Sequence, residues 1–393
     1  MKKTIVNILH KMPGVTKVRE KFMIRIFILF LSMKGRVNFM NMSRIGTCSE
    51  KTLRLHFEKP FDFFAFNKLL IKETFSSHVI IAGDCSLIPK SGKRTPDIGK
   101  FWNGCASKAC RGLEISALAA VDVEKNMAMP LECEQTPSDS NDESRVDFYV
   151  RQVVAKKDEL KELADYFVYD GAAATRKFVD GIVGQTELHM VSKTRKDANL
   201  RYLHAGEYNG NGRPKKYDGK MNCKKIDESR FELCHVDDDA FVYTAEVNSV
   251  SLKRNIRIAY VESRKTNAYA VLFSTDPELD GSLIYRYYKA RFQIEFLFRD
   301  AKQHAGLTHC QARSENKLRF HFNASLAAVG LAKAEFPKNE SAPRSPFSMA
   351  DIKTIYFNRL FLDRFFSMSG LEPTCEKIAS AYRNLLDFGR IAA

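Results

Sequence analysis

The stretch at residues 78–84, HVIIAGD, does most to decide the fold. It is a short run of apolar and β-branched residues that ends on an acid, which is typical of a buried strand. We therefore predict a strand at residues 78–83 that carries the carboxylate of Asp84 at its tip. The polar, glycine-containing residues 85–112 that follow are predicted to form a loop.

A second strand that ends on an acid is predicted at residues 166–169, YFVY, immediately before Asp170. With its neighbours it gives the order strand, strand, strand, helix, strand, helix, strand. An antiparallel trio followed by αβ units is the layout of a ribonuclease-H-like core, so the predicted fold class is α/β. The other predicted elements are strands at 115–123, 127–132 and 188–192 and helices at 145–165 and 171–183.

The regions outside this core complete a five-part division of the chain. A β-rich insertion is predicted to interrupt the core, and helical regions are predicted to flank it at both ends. Residues 38–55 fit a helix-turn-helix only loosely, and a small helical hairpin fits them as well. The predicted parts are a basic, helical, DNA-binding region at 1–75, the first part of the core at 76–192, the insertion at 193–283, the completion of the core at 284–330 and a helical region at 331–393.

The charge balance indicates a polyanionic partner. The chain has 62 Lys and Arg against 47 Asp and Glu, a formal net charge of +15, which favours nucleic acid over a membrane surface. The apolar run at residues 22–33 contains Arg25 and is too short to span a bilayer, so a buried helix is expected there. Nine scattered cysteines without zinc-site spacing favour reduced thiols and a cytoplasmic protein.

The sharpest signal lies on a helix predicted at residues 284–305. Tyr288, Arg291, Glu295 and Lys302 are spaced so that, on an uninterrupted helix, they share a stripe about 60° wide. A carboxylate between Arg and Lys on a largely buried helix is typical of a metal or phosphate site. The alternative is an intrahelical ion pair, because Arg291 and Glu295 are four residues apart.

Three carboxylates delivered by separate elements suit hard divalent cations. Asp84, Asp170 and Glu295 would bind two Mg²⁺ or Mn²⁺ ions, which prefer oxygen ligands. Two such ions activate an attacking oxygen and stabilise the leaving oxygen of a phosphoryl displacement. The sequence therefore predicts a catalytic centre for phosphodiester chemistry at these acids.

At these residues the chain resembles the DDE transposases of bacterial insertion sequences, specifically the insertion-sequence-4 group. That group carries the signature Tyr, two residues, Arg, three residues, Glu, six residues, Lys, which is present here without deviation. Asp84 and Asp170 resemble the first and second catalytic acids of the group. The resemblance implies that the signature residues Tyr288, Arg291 and Lys302 contact the phosphate of a transposon end.

The resemblance also implies an activity and partners. The expected activity is two-metal-ion cleavage at transposon ends and transfer of the 3′-hydroxyl ends to target DNA. The expected partners are DNA and a second copy of the chain in a synaptic complex in the bacterial nucleoid, with no membrane. Two alternatives stay open, a catalytically silent DNA-binding protein and a ribonuclease-H-like nuclease or resolvase without strand transfer.

One feature departs from the group. Some relatives hold a flipped base with a tryptophan in the insertion, whereas the single tryptophan here is Trp102, which follows the first acid. If this protein flips a base, another aromatic residue must stack on it, and Tyr243 or Tyr260 is the expected candidate.

Overall fold

The protein is described here by a computed structural model with a mixed α/β architecture. The description covers residues 1–92, 94–104, 106–138, 143–208, 210, 212–266, 268–336, 347–370 and 376–391. Within it a large mixed sheet is covered by helices that belong to every region of the chain.

Five helices form the N-terminal region, as the sequence predicts. Four of them begin at a residue whose side chain accepts a hydrogen bond from the first turn, namely Thr16, Asn38, Ser49 and Asp62. The second helix is buried along most of its length, which confirms the buried helix expected at residues 22–33. The helices are α1 (Lys2–Lys11), α2 (Lys17–Ser32), α3 (Phe39–Ile45), α4 (Glu50–Glu58) and α5 (Phe63–Thr74).

The twelve strands of the described chain form one sheet. Its order is β2-β3-β1-β5-β6-β12-β11-β10-β7-β8, with β4 also paired to β3 and β9 to β10. The strands are β1 (Val79–Pro89), β2 (Gly99–Asn103), β3 (Lys108–Asp122), β4 (Met127–Gln135), β5 (Tyr166–Val168), β6 (His189–Lys193), β7 (Leu200–Leu203), β8 (Tyr217–Lys220), β9 (Glu232–Val236), β10 (Ala240–Ser249), β11 (Arg254–Ser263) and β12 (Tyr269–Ser274).

The pairing within the first half of the sheet follows the predicted strand order. β1, β3 and β4 are antiparallel neighbours, and β5 and β6 are parallel to β1. The predicted strands at 115–123, 127–132, 166–169 and 188–192 are therefore present, each with shifted ends.

The predicted loop at residues 85–112 is wrong. β1 continues to Pro89, because β3 pairs with it along its whole length, up to Pro89 opposite Gly112. β2 and the start of β3 then form a hairpin, with Gly99 also opposite Gly112. Asp84 consequently lies in the middle of β1 and not at its tip. The prediction ended the strand at its first charged residue. A charged side chain does not prevent the backbone of the same residue from pairing, so the strand continues past Asp84.

Two predicted helices are interrupted. The helix expected at 145–165 consists of α6 (Arg145–Val154) and α7 (Lys157–Lys161). The segment after Asp170 begins with a 3₁₀ turn, Gly171–Ala173, before α8 (Arg176–Gln185). α6 and α8 pack against each other so closely that a Cβ on Gly181 would lie 2.8 Å from Val150.

The strands of residues 193–283 extend the same sheet. β12 pairs with β6, so the strands of the β-rich region continue outward from the first half of the sheet. The structure confirms that this segment is rich in strands, and it shows that they are hydrogen-bonded to the predicted core rather than separated from it.

The C-terminal part is helical. α11 (Glu315–Glu335) is buried along nearly all of its length and packs against β4, α2 and α5. It is preceded by α9 (Gly281–Arg291) and α10 (Gln293–His304) and followed by α12 (Met349–Ser369) and α13 (Glu376–Asp387). None of the helices in the described residues combines the length and the apolarity that crossing a membrane requires.

Candidate active site

Asp84 and Asp170 are placed side by side by the parallel pairing of β1 and β5. Ile81 is opposite Phe167 and Ala82 is opposite Val168. Continued by two residues, this register brings Asp84 level with Asp170. Asp170 lies just beyond the end of β5, as predicted, where its side chain accepts a hydrogen bond from the backbone N–H of Ala172 at 3.0 Å.

Close packing beneath Asp84 fixes the backbone that carries it. A Cβ on Gly83 would lie 2.7 Å from the ring of Tyr169 and 2.9 Å from that of Phe167. On the same side, Cys85 Sγ lies 3.3 Å from the hydroxyl of Tyr169. The sequence analysis missed this support, although a glycine before the acid in an otherwise β-branched strand was a visible signal of close approach.

The third acid comes from a helix pair over the sheet. The predicted single helix at 284–305 is interrupted at Phe292, where α9 ends and α10 begins. The hydrogen bonds there shorten to i→i−3, from Phe292 to Lys289 at 3.1 Å and from Glu295 to Phe292 at 3.0 Å. Nothing in the local sequence marks this break, because it contains neither Pro nor Gly.

Arg291 connects two of the acids across the break. Its guanidinium lies 3.0 Å from Glu295 Oε1 and 3.6 Å from Asp84 Oδ2. The side chain of Arg291 is 11% exposed, that of Asp84 20% and that of Glu295 41%. The intrahelical ion pair that the sequence offered as the alternative therefore exists, and the same arginine also reaches the acid on the sheet.

Asp84 interacts electrostatically with both of the other acids. Burial raises the pKa of Asp84 to about 6, Arg291 opposes this rise, and the negative charges of Asp170 and Glu295 add to it. Burial likewise raises the pKa of Tyr288, on which the same three acids act. The structure thus brings Asp84, Asp170, Glu295, Arg291 and Tyr288 into one neighbourhood.

Three further observations bear on which ligands this site can bind. Across the residues that the structure describes, no three Asp, Glu, His or Cys side chains are close enough together to hold a metal ion. Arg291 Nε is buried and has no acceptor within the described chain. Lys302 lies half-buried on α10, two helical turns beyond Glu295.

The aromatic residues expected to stack on a base are placed unfavourably. Tyr260 is only 4% exposed and stacks on Tyr269, with ring centroids 5.5 Å apart, so it is not available to a nucleotide. Tyr243 is half-buried on β10. Trp102, by contrast, is 65% exposed on the hairpin of β2 and β3.

Fold and site together define an α/β protein with a centre of three acids between a mixed sheet and a broken helix. The family model for the transposase DDE domain matches residues 75–331. The chain therefore belongs to the transposase DDE domain family, and all three acids lie in the matched range.

A solved structure of a piggyBac transposase synaptic complex with hairpin DNA is similar over 99% of this chain and 82% of that chain, with a TM-score of 0.44 and 11% sequence identity. No curated protein matches the sequence.

Proposed function

We propose that this protein is a DNA transposase whose catalytic residues are Asp84, Asp170 and Glu295. The observation that carries the proposal is the match to a transposase DDE domain over a range that contains all three acids, and the electrostatic interaction of Asp84 with Asp170 and Glu295 supports it. We also propose that β4, β3, β1, β5 and β6 form a ribonuclease-H-like core, with the β-rich segment as its insertion. The five-part division of the chain and the assignment to the insertion-sequence-4 group belong to the same proposal.

Transposase DDE domains use divalent metal ions, and the chemistry of the three carboxylates suits them, although in the described arrangement these side chains are not drawn together into a metal-holding cluster. Carboxylate oxygens are the ligands that Mg²⁺ and Mn²⁺ prefer. Burial raises the pKa of Asp84, the charges of Asp170 and Glu295 add to the rise, and a bound cation would favour the charged form of the carboxylate. In the described arrangement Arg291 supplies part of that positive charge, so metal binding requires it to release Asp84. Bound ions would polarise the phosphodiester and activate the attacking oxygen.

The signature residues would then bind the DNA backbone. Arg291 is a forked donor with one N–H that has no acceptor in the described chain, and a phosphate oxygen would satisfy it. The aromatic ring of Tyr288 lies under the same guanidinium, 5.8 Å from it, and holds its orientation. Lys302 would add a positive charge further along the same helix. The partners are therefore the two transposon ends and the target DNA, which we propose are held by a dimer.

The proposed reaction has two steps, hydrolysis at the transposon end and transfer of that end to the target. Water attacks the phosphorus at the transposon end, a P–O bond forms, and the bond to the 3′ oxygen breaks, so the end leaves as a 3′-hydroxyl. That hydroxyl then attacks a phosphorus of the target, and the target 3′ oxygen leaves with the proton. Positioning and charge stabilisation are the main requirements of both steps.

The test is cleavage of DNA that carries the inverted repeats flanking the gene, in the presence of Mg²⁺ or Mn²⁺. Glu295→Gln should reduce the cleavage rate by at least about 100-fold, because it removes a carboxylate that would hold the divalent ions. DNA binding without metal should be largely retained. Glu187→Gln is the matched control, since Glu187 is exposed on the segment before β6, away from the three acids.

The other outcomes favour other functions. Undiminished cleavage by Glu295→Gln would exclude the proposed centre. Binding without cleavage under any divalent ion would favour the silent DNA-binding protein. Cleavage without joining of the 3′ ends to a second DNA would favour a nuclease or resolvase.

A further inference from the structure

A large basic cavity lies beyond the three acids. Its volume is about 940 Å³, and three separate segments of the chain line it. Arg36 comes from the segment after α2, residues 89–92, 94 and 95 come from the end of β1 and the segment after it, and residues 308–311 and 313 follow α10. Among the described residues, the positively charged side chains that line it are Arg36, Lys90, Arg94 and Arg313, and none of the lining residues carries a carboxylate.

The walls of this cavity are joined by specific contacts. Lys90 Nζ donates hydrogen bonds to the backbone oxygens of Cys310 at 2.8 Å and Ala312 at 3.1 Å. The backbone N–H of Val37 donates to Nδ1 of His309 at 3.1 Å. These contacts tie all three segments together, so the concavity is a built feature and not a gap between loose loops.

The guanidinium groups that face the cavity are available to a ligand. Arg36, Arg94 and Arg313 are exposed, and none of them has an ion pair with a carboxylate of the described residues. Three exposed guanidinium groups around one concavity, without a carboxylate to neutralise them, give it a positive potential that attracts an anion.

The cavity is continuous with the elements that hold the catalytic acids. β1 carries both Asp84 and Pro89, which are five residues or about 16 Å apart along the strand. The segment 308–313 begins shortly after α10, which carries Glu295. At about 3.4 Å per nucleotide step, a strand held at the acids would reach the cavity within about five nucleotides.

We infer that this cavity binds the phosphodiester backbone of the DNA next to the cleaved bond, through Arg36, Arg94 and Arg313. The inference rests on the proposed function for the identity of the polyanion. Arginine is suited to this role because its fork of donors matches two phosphate oxygens. Lys90 is a positioning residue, since its ammonium holds the 308–313 segment in place.

The test is equilibrium binding of a duplex to the full-length protein in EDTA, over a series of salt concentrations. The triple variant Arg36→Gln/Arg94→Gln/Arg313→Gln should bind at least about tenfold more weakly at low salt. Its plot of log K against log salt should be shallower by about 2 to 3, because each lost phosphate contact removes about 0.9 from the slope.

A matched control removes the same charge elsewhere. Arg364, Lys377 and Arg383 are exposed on α12 and α13, and their triple substitution by Gln should leave the slope within about one half of the wild-type value. An unchanged slope and affinity in the cavity variant would overturn the inference. So would equal losses in both triple variants, because they would show a general charge effect.

Two further comparisons identify the kind of ligand and distinguish a failure of this inference from a failure of the proposed function. Inorganic phosphate that protects the wild type, but not the cavity variant, from thermal unfolding would show a phosphate site. If DNA affinity were nevertheless unchanged in that variant, the site would take a small phosphate ligand and the DNA assignment would fail. Because binding is measured without metal, a failure of Glu295→Gln to abolish cleavage would refute the catalytic proposal and leave this result intact.

Discussion

At the scale of single residues, the position of Asp84 depends on a glycine. Gly83 of β1 lies against the rings of Phe167 and Tyr169. A side chain at this position would have to displace one of these two rings. The main chain of the acid pairs with β3, opposite Ala117, two residues beyond the last pair that joins β1 to β5. The catalytic proposal therefore depends on backbone packing as much as on the carboxylates.

Gly83→Ala should destabilise the protein by about 1–3 kcal/mol, because the added methyl group would lie within 3 Å of two aromatic rings. Thermal or urea unfolding measures the change. Gly184→Ala is the control, since nothing lies within 4 Å of the added Cβ there and an alanine in α8 should be neutral or slightly stabilising. Equal stability of Gly83→Ala and the wild type would contradict the described packing under Asp84.

At the scale of elements, the sequence predicted the strand order around Asp84 and Asp170 because periodic apolar runs report burial directly. It missed the hairpin that β2 forms with the start of β3, because these residues are joined by backbone pairing and carry few apolar side chains. It also missed the break at Phe292, which reflects tertiary packing rather than a helix-breaking residue. Contacts between distant segments, such as the basic cavity, have no signal in local sequence.

The fluorescence of Trp102, on the hairpin of β2 and β3, can test whether DNA binds at the basic cavity. Trp102 is opposite Ala109, a small residue that leaves the indole uncovered, and Lys100 is opposite Arg111 on the same face. Arg111 also donates a hydrogen bond to the backbone oxygen of Gly92, which lines the cavity, at 3.1 Å. Because Trp102 is the single tryptophan, its fluorescence reports this hairpin alone.

Titration with duplex DNA should quench or shift the Trp102 emission, with a midpoint that weakens as salt rises. Stacking of a base on the exposed indole would give the larger change, and Trp102→Ala should then weaken binding by about 1–3 kcal/mol. The cavity variant should need more DNA to reach the same midpoint. A DNA titration that leaves the emission unchanged while binding is shown by another method would place the DNA away from the hairpin.

At the scale of the whole molecule, buried lysines connect the terminal helices to the rest of the chain. Lys353 of α12 donates to the backbone oxygen of Phe30 in α2 at 2.7 Å, and Lys333 of α11 donates to that of Ala128 in β4 at 2.9 Å. Burial lowers the pKa of each lysine to about 8. The groups that act on Lys333 are Asp300, which raises its pKa, and Arg299, which lowers it.

These lowered pKa values make stability depend on pH in a defined direction. Between about pH 8 and 10.5 the unfolded chain still protonates Lys333, whereas the folded chain does not, so the unfolded state binds more protons and stability rises with pH. The full contribution is about 3 kcal/mol for one lysine. Lys333→Met should lose this part of the rise and keep the part contributed by Lys353, whose pKa burial also lowers to about 8. The free energy of unfolding in urea is measured at pH 7.5 and 9 for Lys333→Met, for the wild type and for the exposed control Lys377→Met. Differences between these proteins cancel the titration of cysteines and tyrosines, which is common to all three. A wild-type slope in Lys333→Met would mean that the ammonium is solvated and that α11 is not anchored to β4 as described.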